Sequence, residues 1–71
     1  MYNVDDVLTM TNHEQYVVTA KTTLNNKYYY QIVNYNNHLD WMIVYEDGND
    51  LIEELDQKIV DVLAKEFLEN K

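Results

Sequence analysis

The sequence predicts an α+β fold: an antiparallel β-meander of four to five strands with one C-terminal α-helix packed on one sheet face. Segments rich in β-branched and aromatic residues fill the first two thirds of the chain, and short Asn- or Gly-containing turns separate them. Apolar residues recur at helical spacing only in the last third. With 71 residues, the chain is expected to form a single domain spanning residues 1–71.

The first two strands are predicted over residues 4–10 and 15–24. The second is rich in Val, Thr and Tyr, and its even-numbered positions are more apolar than its odd-numbered ones. Because successive side chains of a strand point to opposite faces, the even set is assigned to the core. This set consists of Tyr16, Val18, Ala20, Thr22 and Leu24.

A turn at Asn25-Asn26 leads into a third strand over residues 28–34. A two-residue loop would pair Leu24 with Lys27 and put the apolar even face of one strand beside the odd face of the next. A three-residue loop would pair Leu24 with Tyr28 and unite the two apolar faces, so the sequence favours this register. It predicts that Tyr28, Tyr30 and Ile32 face the core and that Tyr29 faces outward.

The fourth strand is predicted over residues 40–46, before a turn at Asp47-Gly48. Its larger side chains, Trp41, Ile43 and Tyr45, are expected to face the core. The end of the chain allows either one helix from Asp50 to Asn70, or a fifth strand at 51–55 and a helix at 57–69. We favour the second alternative, in which the helix covers one sheet face with an apolar stripe of Ile59, Val62, Leu63 and Phe67.

The composition excludes several kinds of chemistry. The sequence contains no Cys, Ser, Arg or Pro and one Gly, so serine and cysteine nucleophiles, glycine-rich phosphate loops and arginine phosphate clamps are absent. His13 and His38 lie in separate predicted turns without a metal-binding motif. We therefore expect a protein that is not an enzyme and needs no cofactor or metal.

The charge is strongly negative and unevenly distributed. The net charge is −8, of which residues 40–71 contribute −7, because ten acidic residues there face three lysines. Such a chain repels phosphate backbones, so direct nucleic-acid binding is not expected. The start of the chain has neither the basic nor the long apolar segment of a signal peptide or membrane span, so a cytoplasmic location is expected.

Three segments together resemble a known class of proteins: "VLTM", "YVVTAKTTLNNKYYYQIVN" and "DWMIVYEDGNDLIEELDQKIVDVLAKEF". They are similar to the small acidic, uncharacterised β-meander-plus-helix proteins of Gram-positive bacteria and their phages or mobile elements. The resemblance covers nearly the whole chain and implies the strand at 51–55 and the three-residue loop. It implies no activity, and Asn26 stands where that class usually has glycine.

The leading functional hypothesis is a small acidic binding module that uses its open sheet face for a homodimer or a protein partner. One helix covers one side of a sheet, and apolar residues on the other side are typical of an interface. The residues predicted for this interface are Val17, Tyr29, Val33, Met42 and Val44.

The alternative hypothesis is an inhibitor from a mobile element, whose acidic half imitates nucleic-acid phosphates toward a basic host protein. The residues predicted for this acidic surface are Asp40, Glu46, Asp47, Asp50, Glu53 and Glu54.

Overall fold

The computed structural model describes residues 1–69, which form five strands and one helix. The strands are β1 (Val7–Thr9), β2 (Gln15–Leu24), β3 (Lys27–Asn34), β4 (Asn37–Asp47) and β5 (Asp50–Glu53), and the helix is α1 (Gln57–Glu69). Neighbours in sequence pair antiparallel in the order β1-β2-β3-β4-β5. The predicted α+β meander with a C-terminal helix is confirmed. The alternative of one helix from Asp50 is wrong, and its predicted last residue, Asn70, lies outside the described residues.

The β2–β3 hairpin has the two-residue loop that the sequence analysis rejected. Asn25 and Asn26 have φ values of 52° and 64°, and Leu24 pairs with Lys27. Two consecutive left-handed residues form the turn whose twist matches that of the flanking strands, and Asn tolerates this conformation better than most residues. The predicted three-residue loop is therefore wrong.

A β-bulge at Thr19 brings the apolar faces of β2 and β3 together, although the loop between the strands has only two residues. Val18 pairs with Ile32, but Ala20 pairs with Gln31, so Thr19 is an extra residue in β2. Its hydroxyl donates to the main-chain oxygen of Gln31 at 3.2 Å. Because one inserted residue moves all later side chains to the other face, β2 has two halves with opposite orientation.

Both faces of the central sheet are buried. Tyr29 and Tyr30 point in opposite directions, and each is only 1% exposed, whereas Tyr28 is 44% exposed. The prediction that Tyr28 faces the core and Tyr29 the solvent is wrong. Tyr29 lies on the face that α1 covers, whereas Tyr28 lies on the same face as Tyr30 but next to the hairpin turn, where it is exposed.

The helix-side core lies between the sheet and α1. Its buried residues are Tyr29, Ile43, Leu63 and Phe67, and the partly buried Ala20, Leu24, Tyr45, Ile59 and Val60 pack around them. Val62, which was predicted in the helix stripe, is 57% exposed, and Val60 contacts this core instead.

The opposite core lies on the other face of the same strands. It contains Tyr16, Val18, Tyr30, Ile32 and Val44, with Tyr2, Leu8, Met10, Met42 and Leu51 packed against it. The N-terminal segment covers this face: the rings of Tyr2 and Tyr30 meet edge to face at 5.6 Å between their centroids. The predicted strand over residues 4–10 is too long, because only Val7–Thr9 forms a regular strand.

The helix begins after Asp56, whose carboxylate accepts a hydrogen bond from the main-chain N–H of Lys58 at 3.0 Å. This is an N-cap contact. Near the other end of α1, the hydroxyl of Thr22 donates to the Glu66 carboxylate at 3.1 Å and fixes the helix over β2. No helix within residues 1–69 is long and apolar enough to cross a membrane.

Candidate functional site

The structure does not bring the five predicted interface residues onto one exposed face. Tyr29 is buried beneath α1, and Val44, at 2% exposure, is buried on the opposite side with Met42 packed nearby. Val17 and Val33 remain partly exposed and pair directly across β2 and β3. The expected open sheet face, with Tyr29, Met42 and Val44 exposed together, is therefore wrong.

Val17 and Val33 belong instead to a continuous apolar row across four strands. Val7 pairs with Val17, Val17 with Val33, and Val33 with Trp41. Directly paired residues have side chains on the same face, so these four side chains line up on the helix side of the sheet. Val7 and Trp41, at the two ends of this row, are 51% and 43% exposed. We call these four residues the Trp41 row.

The Trp41 row lies beyond the part of the sheet that α1 covers. A helix of 13 residues is roughly 20 Å long. The longest dimension of the molecule is 29 Å, so α1 spans only part of it. Phe67, in the last turn of α1, lies at the boundary, since it belongs to the helix-side core and also borders the groove beside Trp41.

A shallow groove with two lobes accompanies the row. The first lobe, of about 600 Å³, lies between Phe67, Ala20, Gln31 and Trp41. The second, of about 690 Å³, lies beside Val17, Asn34 and the 57%-exposed Tyr35. Both lobes share Thr19, Val33 and His38, so the bulge in β2 shapes the groove.

The groove differs from the rest of the chain in charge. Its lining contains one lysine, Lys21, and one histidine, His38, and no carboxylate. The chain as a whole carries 13 acidic residues and a net charge of −8. The residues that line the groove are thus less acidic than the chain as a whole.

The six carboxylates of the predicted acidic surface are divided between two locations. Asp40 lies near the beginning of β4, where its Oδ2 accepts hydrogen bonds from the Tyr16 hydroxyl at 2.6 Å and from Asn34 Nδ2 at 3.2 Å. It is seven residues from Asp47, roughly 23 Å along an extended strand. Asp40 was predicted to belong to the acidic surface, but the fold separates it from the other five residues of that surface.

Two further members of that set are engaged with buried tyrosines. Glu54 accepts a hydrogen bond from the Tyr29 hydroxyl at 2.8 Å, and Glu46 accepts one from the Tyr30 hydroxyl. The remaining three, Asp47, Asp50 and Glu53, are exposed on the β4–β5 hairpin. The fold thus leaves a smaller free acidic surface than the sequence predicts.

The hydroxyls of Tyr16, Tyr29 and Tyr30, which donate to these carboxylates, have raised pKa values. Burial, followed by the hydrogen bond to Glu54, raises the pKa of Tyr29 to about 12. Burial and the Glu46 contact raise the pKa of Tyr30 to about 12 as well. The hydrogen bond to Asp40, more than burial, raises the pKa of Tyr16 above 10. A hydroxyl that remains protonated and donates to a carboxylate anchors the sheet and is a poor base at neutral pH.

The described residues contain no cluster of three or more His, Asp or Glu side chains that could hold a metal ion. His13 lies in a turn with φ of 68°, and His38 borders the groove. Two carboxylates, those of Asp40 and Glu14, both accept hydrogen bonds from the side-chain amide of Asn34. Their geometry is that of a structural hydrogen-bond network.

Comparisons of the chain with protein-family models, with curated proteins and with solved structures find no match. The resemblance to the small acidic proteins of Gram-positive bacteria and their phages therefore stays a prediction made from the sequence.

Four residues of this exposed surface are not among the interface residues predicted from the sequence: Val7, Tyr35, His38 and Trp41. Trp41 was predicted to face the core with Ile43 and Tyr45, and the latter two do contact the helix-side core. No signal in the sequence separated Trp41 from Ile43 and Tyr45, because all three side chains lie on the same face of β4.

Proposed function

We propose that the protein is a non-enzymatic binding module that contacts another protein through the Trp41 row. The observation that supports this most is the row itself: four directly paired apolar residues on four strands, with 43% of Trp41 and 51% of Val7 exposed. Trp and Tyr are enriched at interface centres, and Trp41 and Tyr35 both border this surface.

The size of the surface fits this function. Trp41 and Tyr35 together expose roughly 200 Å² of side chain. Val4 and Val7, each about half exposed, add roughly 100 Å². A continuous apolar patch of about 300–600 Å² on a monomer often marks a binding site.

The absence of an enzyme activity is part of the proposal. The composition offers no serine or cysteine nucleophile. The groove is shallow, and three tyrosine hydroxyls outside it, those of Tyr16, Tyr29 and Tyr30, donate hydrogen bonds to carboxylates. A cytoplasmic location and the imitation of nucleic-acid phosphates by the acidic half both stay predictions made from the sequence.

Site-specific photo-crosslinking tests the proposed surface. A benzophenone amino acid is placed at Trp41 in one variant and at Tyr28 in another, in cells that produce the protein. Tyr28 is a matched control because it is also aromatic and 44% exposed, against 43% for Trp41, but it lies on the opposite face.

We expect a discrete crosslinked protein species from position 41 and none from position 28. Equal crosslinking from both positions, or crosslinking from position 28 alone, would contradict the assignment of the Trp41 row. Circular dichroism of both purified variants verifies that the fold is retained.

A further inference from the structure

We infer that the Trp41 row binds a short basic segment of another protein, in which lysine or arginine side chains flank a few apolar residues; this inference rests on the proposed function. Three features of the surface support a partner of this kind. They are its limited apolar area, the open shape of the groove beside it, and the carboxylates that lie around the groove.

The area and the shape of the surface fit a short segment of chain. The exposed apolar side chains of the row and its neighbours offer about 300 Å². This is about half of what each partner contributes to the smallest stable interfaces between folded proteins, which bury about 1,200 Å² in total. The two lobes, of about 600 and 690 Å³, share Thr19, Val33 and His38, so they form one open groove in which a segment can lie.

Two carboxylates lie beside the first lobe, on the N-terminal segment. Val4 lines this lobe, and Asp5 and Asp6 follow it directly. The main-chain N–H of Asp5 donates to the carbonyl oxygen of Val18 at 2.8 Å, and the N–H of Val18 donates to the carbonyl oxygen of Asp6 at 2.9 Å. These two hydrogen bonds hold both acidic residues against β2, at the side of the groove.

Two more carboxylates lie beside the second lobe. Asn34 lines that lobe, and its side-chain amide nitrogen donates to Glu14 at 3.0 Å and to Asp40 at 3.2 Å. A single amide group thus keeps two like charges close together. Glu14 is exposed, and Asp40 directly precedes Trp41 in β4. Each lobe therefore has a pair of acidic residues at its side.

The chain itself does not neutralise these charges. Within residues 1–69, none of the four carboxylates forms an ion pair with a lysine or a histidine. The one lysine of the groove lining, Lys21, donates from its ammonium group to the side-chain oxygen of Asn3 at 3.1 Å. Basic side chains of a partner complement the four carboxylates, and apolar residues between them cover the Trp41 row.

Fluorescence anisotropy with three labelled peptides of equal length tests the inference. Each peptide has a central Leu-Val-Leu, flanked on both sides by two lysines, two glutamines or two glutamates. We expect the lysine peptide to bind most tightly, the glutamine peptide to bind more weakly through the apolar contact alone, and the glutamate peptide to show no binding. Raising the NaCl concentration should weaken the lysine peptide toward the affinity of the glutamine peptide.

Two double variants separate the groove from the rest of the acidic surface. Asp5→Asn with Glu14→Gln removes two exposed charges beside the groove, and Asp47→Asn with Asp50→Asn removes two exposed charges from the β4–β5 hairpin. Asparagine tolerates the φ of 78° at position 5, so the first variant keeps its local conformation. We expect the first variant to raise the dissociation constant of the lysine peptide about threefold to tenfold. In about 0.15 M NaCl, where charges more than about 8 Å apart are largely screened, the hairpin variant should change it less than about twofold.

The apolar part of the contact is tested at the centre of the surface. Trp41→Ala is expected to weaken the lysine and the glutamine peptides at least about fivefold. Tyr28→Ala removes an aromatic side chain of equal exposure from the opposite face and should leave both affinities unchanged. Circular dichroism verifies the fold of each variant.

Several results would overturn the inference. The lysine peptide might fail to bind, or it might bind no more tightly than the other two peptides. An equal or greater loss of affinity in the hairpin variant would show that the acidic chain attracts a basic peptide without using the groove. Unchanged affinity in Trp41→Ala would exclude the row as the contact.

The crosslinking experiment separates this inference from the proposed function. Digestion and mass spectrometry of the species crosslinked at position 41 identify the segment of the partner that lies on the row. A segment with lysine or arginine beside apolar residues supports both proposals. A neutral or acidic segment, or a second copy of this chain, refutes the basic segment and retains the proposed binding surface. No crosslink from position 41 refutes the proposed function itself.

Discussion

Two valines of α1 provide a direct test of how the helix packs. The sequence pattern puts Val62 in the buried stripe, whereas the structure exposes 57% of Val62 and packs Val60 against the helix-side core. Val60→Ala and Val62→Ala are the same chemical change in the same helix. They differ only in the face of the helix on which they lie.

The expected effects have opposite signs. Val60→Ala removes two methyl groups from the edge of the core, each worth at most about 0.8 kcal/mol because Val60 is only partly buried. Alanine regains about 0.5 kcal/mol through its higher helix propensity, so the net loss of unfolding free energy is at most about 1 kcal/mol. At the exposed Val62, the propensity term dominates, and the variant gains up to about 0.5 kcal/mol. The two variants should therefore differ by up to about 1.5 kcal/mol.

Urea denaturation followed by circular dichroism at 222 nm measures this difference. With a slope near 1 kcal/mol per molar urea, typical of small domains, the midpoints should differ by up to about 1.5 M. Leu63→Ala serves as a reference for full burial, since Leu63 is 0% exposed, and is expected to cost about 3 kcal/mol. Equal midpoints for the two valine variants, or a lower midpoint for Val62→Ala, would refute the packing of α1 described here.

Three further predictions concern the hairpin, the buried tyrosines and alkaline pH. Asn26→Gly should raise the unfolding free energy by about 0.5–1 kcal/mol, because glycine adopts the φ of 64° at that position without strain; a lower melting temperature would contradict the two-residue turn. Tyr29→Phe should cost about 1 kcal/mol through loss of the 2.8 Å hydrogen bond to Glu54, whereas Tyr28→Phe should change stability by less than about 0.5 kcal/mol; equal urea midpoints would contradict this difference. The folded state holds the protons of Tyr29 and Tyr30 up to a pKa of about 12, against about 10 in the unfolded chain, so this contribution to stability is complete below pH 10 and is lost as the pH rises from about 10 to about 12. Melting temperatures that stay level from pH 9 to 12 would show that these hydroxyls are not held in this way.

The sequence predicted the elements better than their register. The bounds of β2 and α1 agree with the predicted 15–24 and 57–69, because alternation and helical spacing are local properties of the chain. The register of the β2–β3 hairpin could not be deduced from polarity alone. A three-residue loop and a two-residue loop with a bulge at Thr19 both bring apolar faces together, and the pattern of residues is the same for the two.

The prediction of the exposed site was limited in the same way as the prediction of the register. Val17 and Val33 were predicted to lie on an interface and do lie in the Trp41 row, whereas Tyr29 and Val44 are buried on opposite faces. Predicting exposure required knowledge of which face the helix covers and where it ends. That knowledge depends on tertiary packing, which the spacing of residues in one strand does not contain.

The two cores on the two faces of one sheet have a consequence for how the protein can change over time. Tyr29 and Tyr30 are adjacent in β3, yet each is an essential part of a different core. A substitution in the middle of β3 therefore disturbs the layer on its own side and, by shifting the strand, the layer behind it. New sequence variants should accumulate at the ends of the sheet, where a core lies on one face of the sheet or on neither face. The Trp41 row lies at such an end, so the preference for one partner over another can diverge there without endangering the fold.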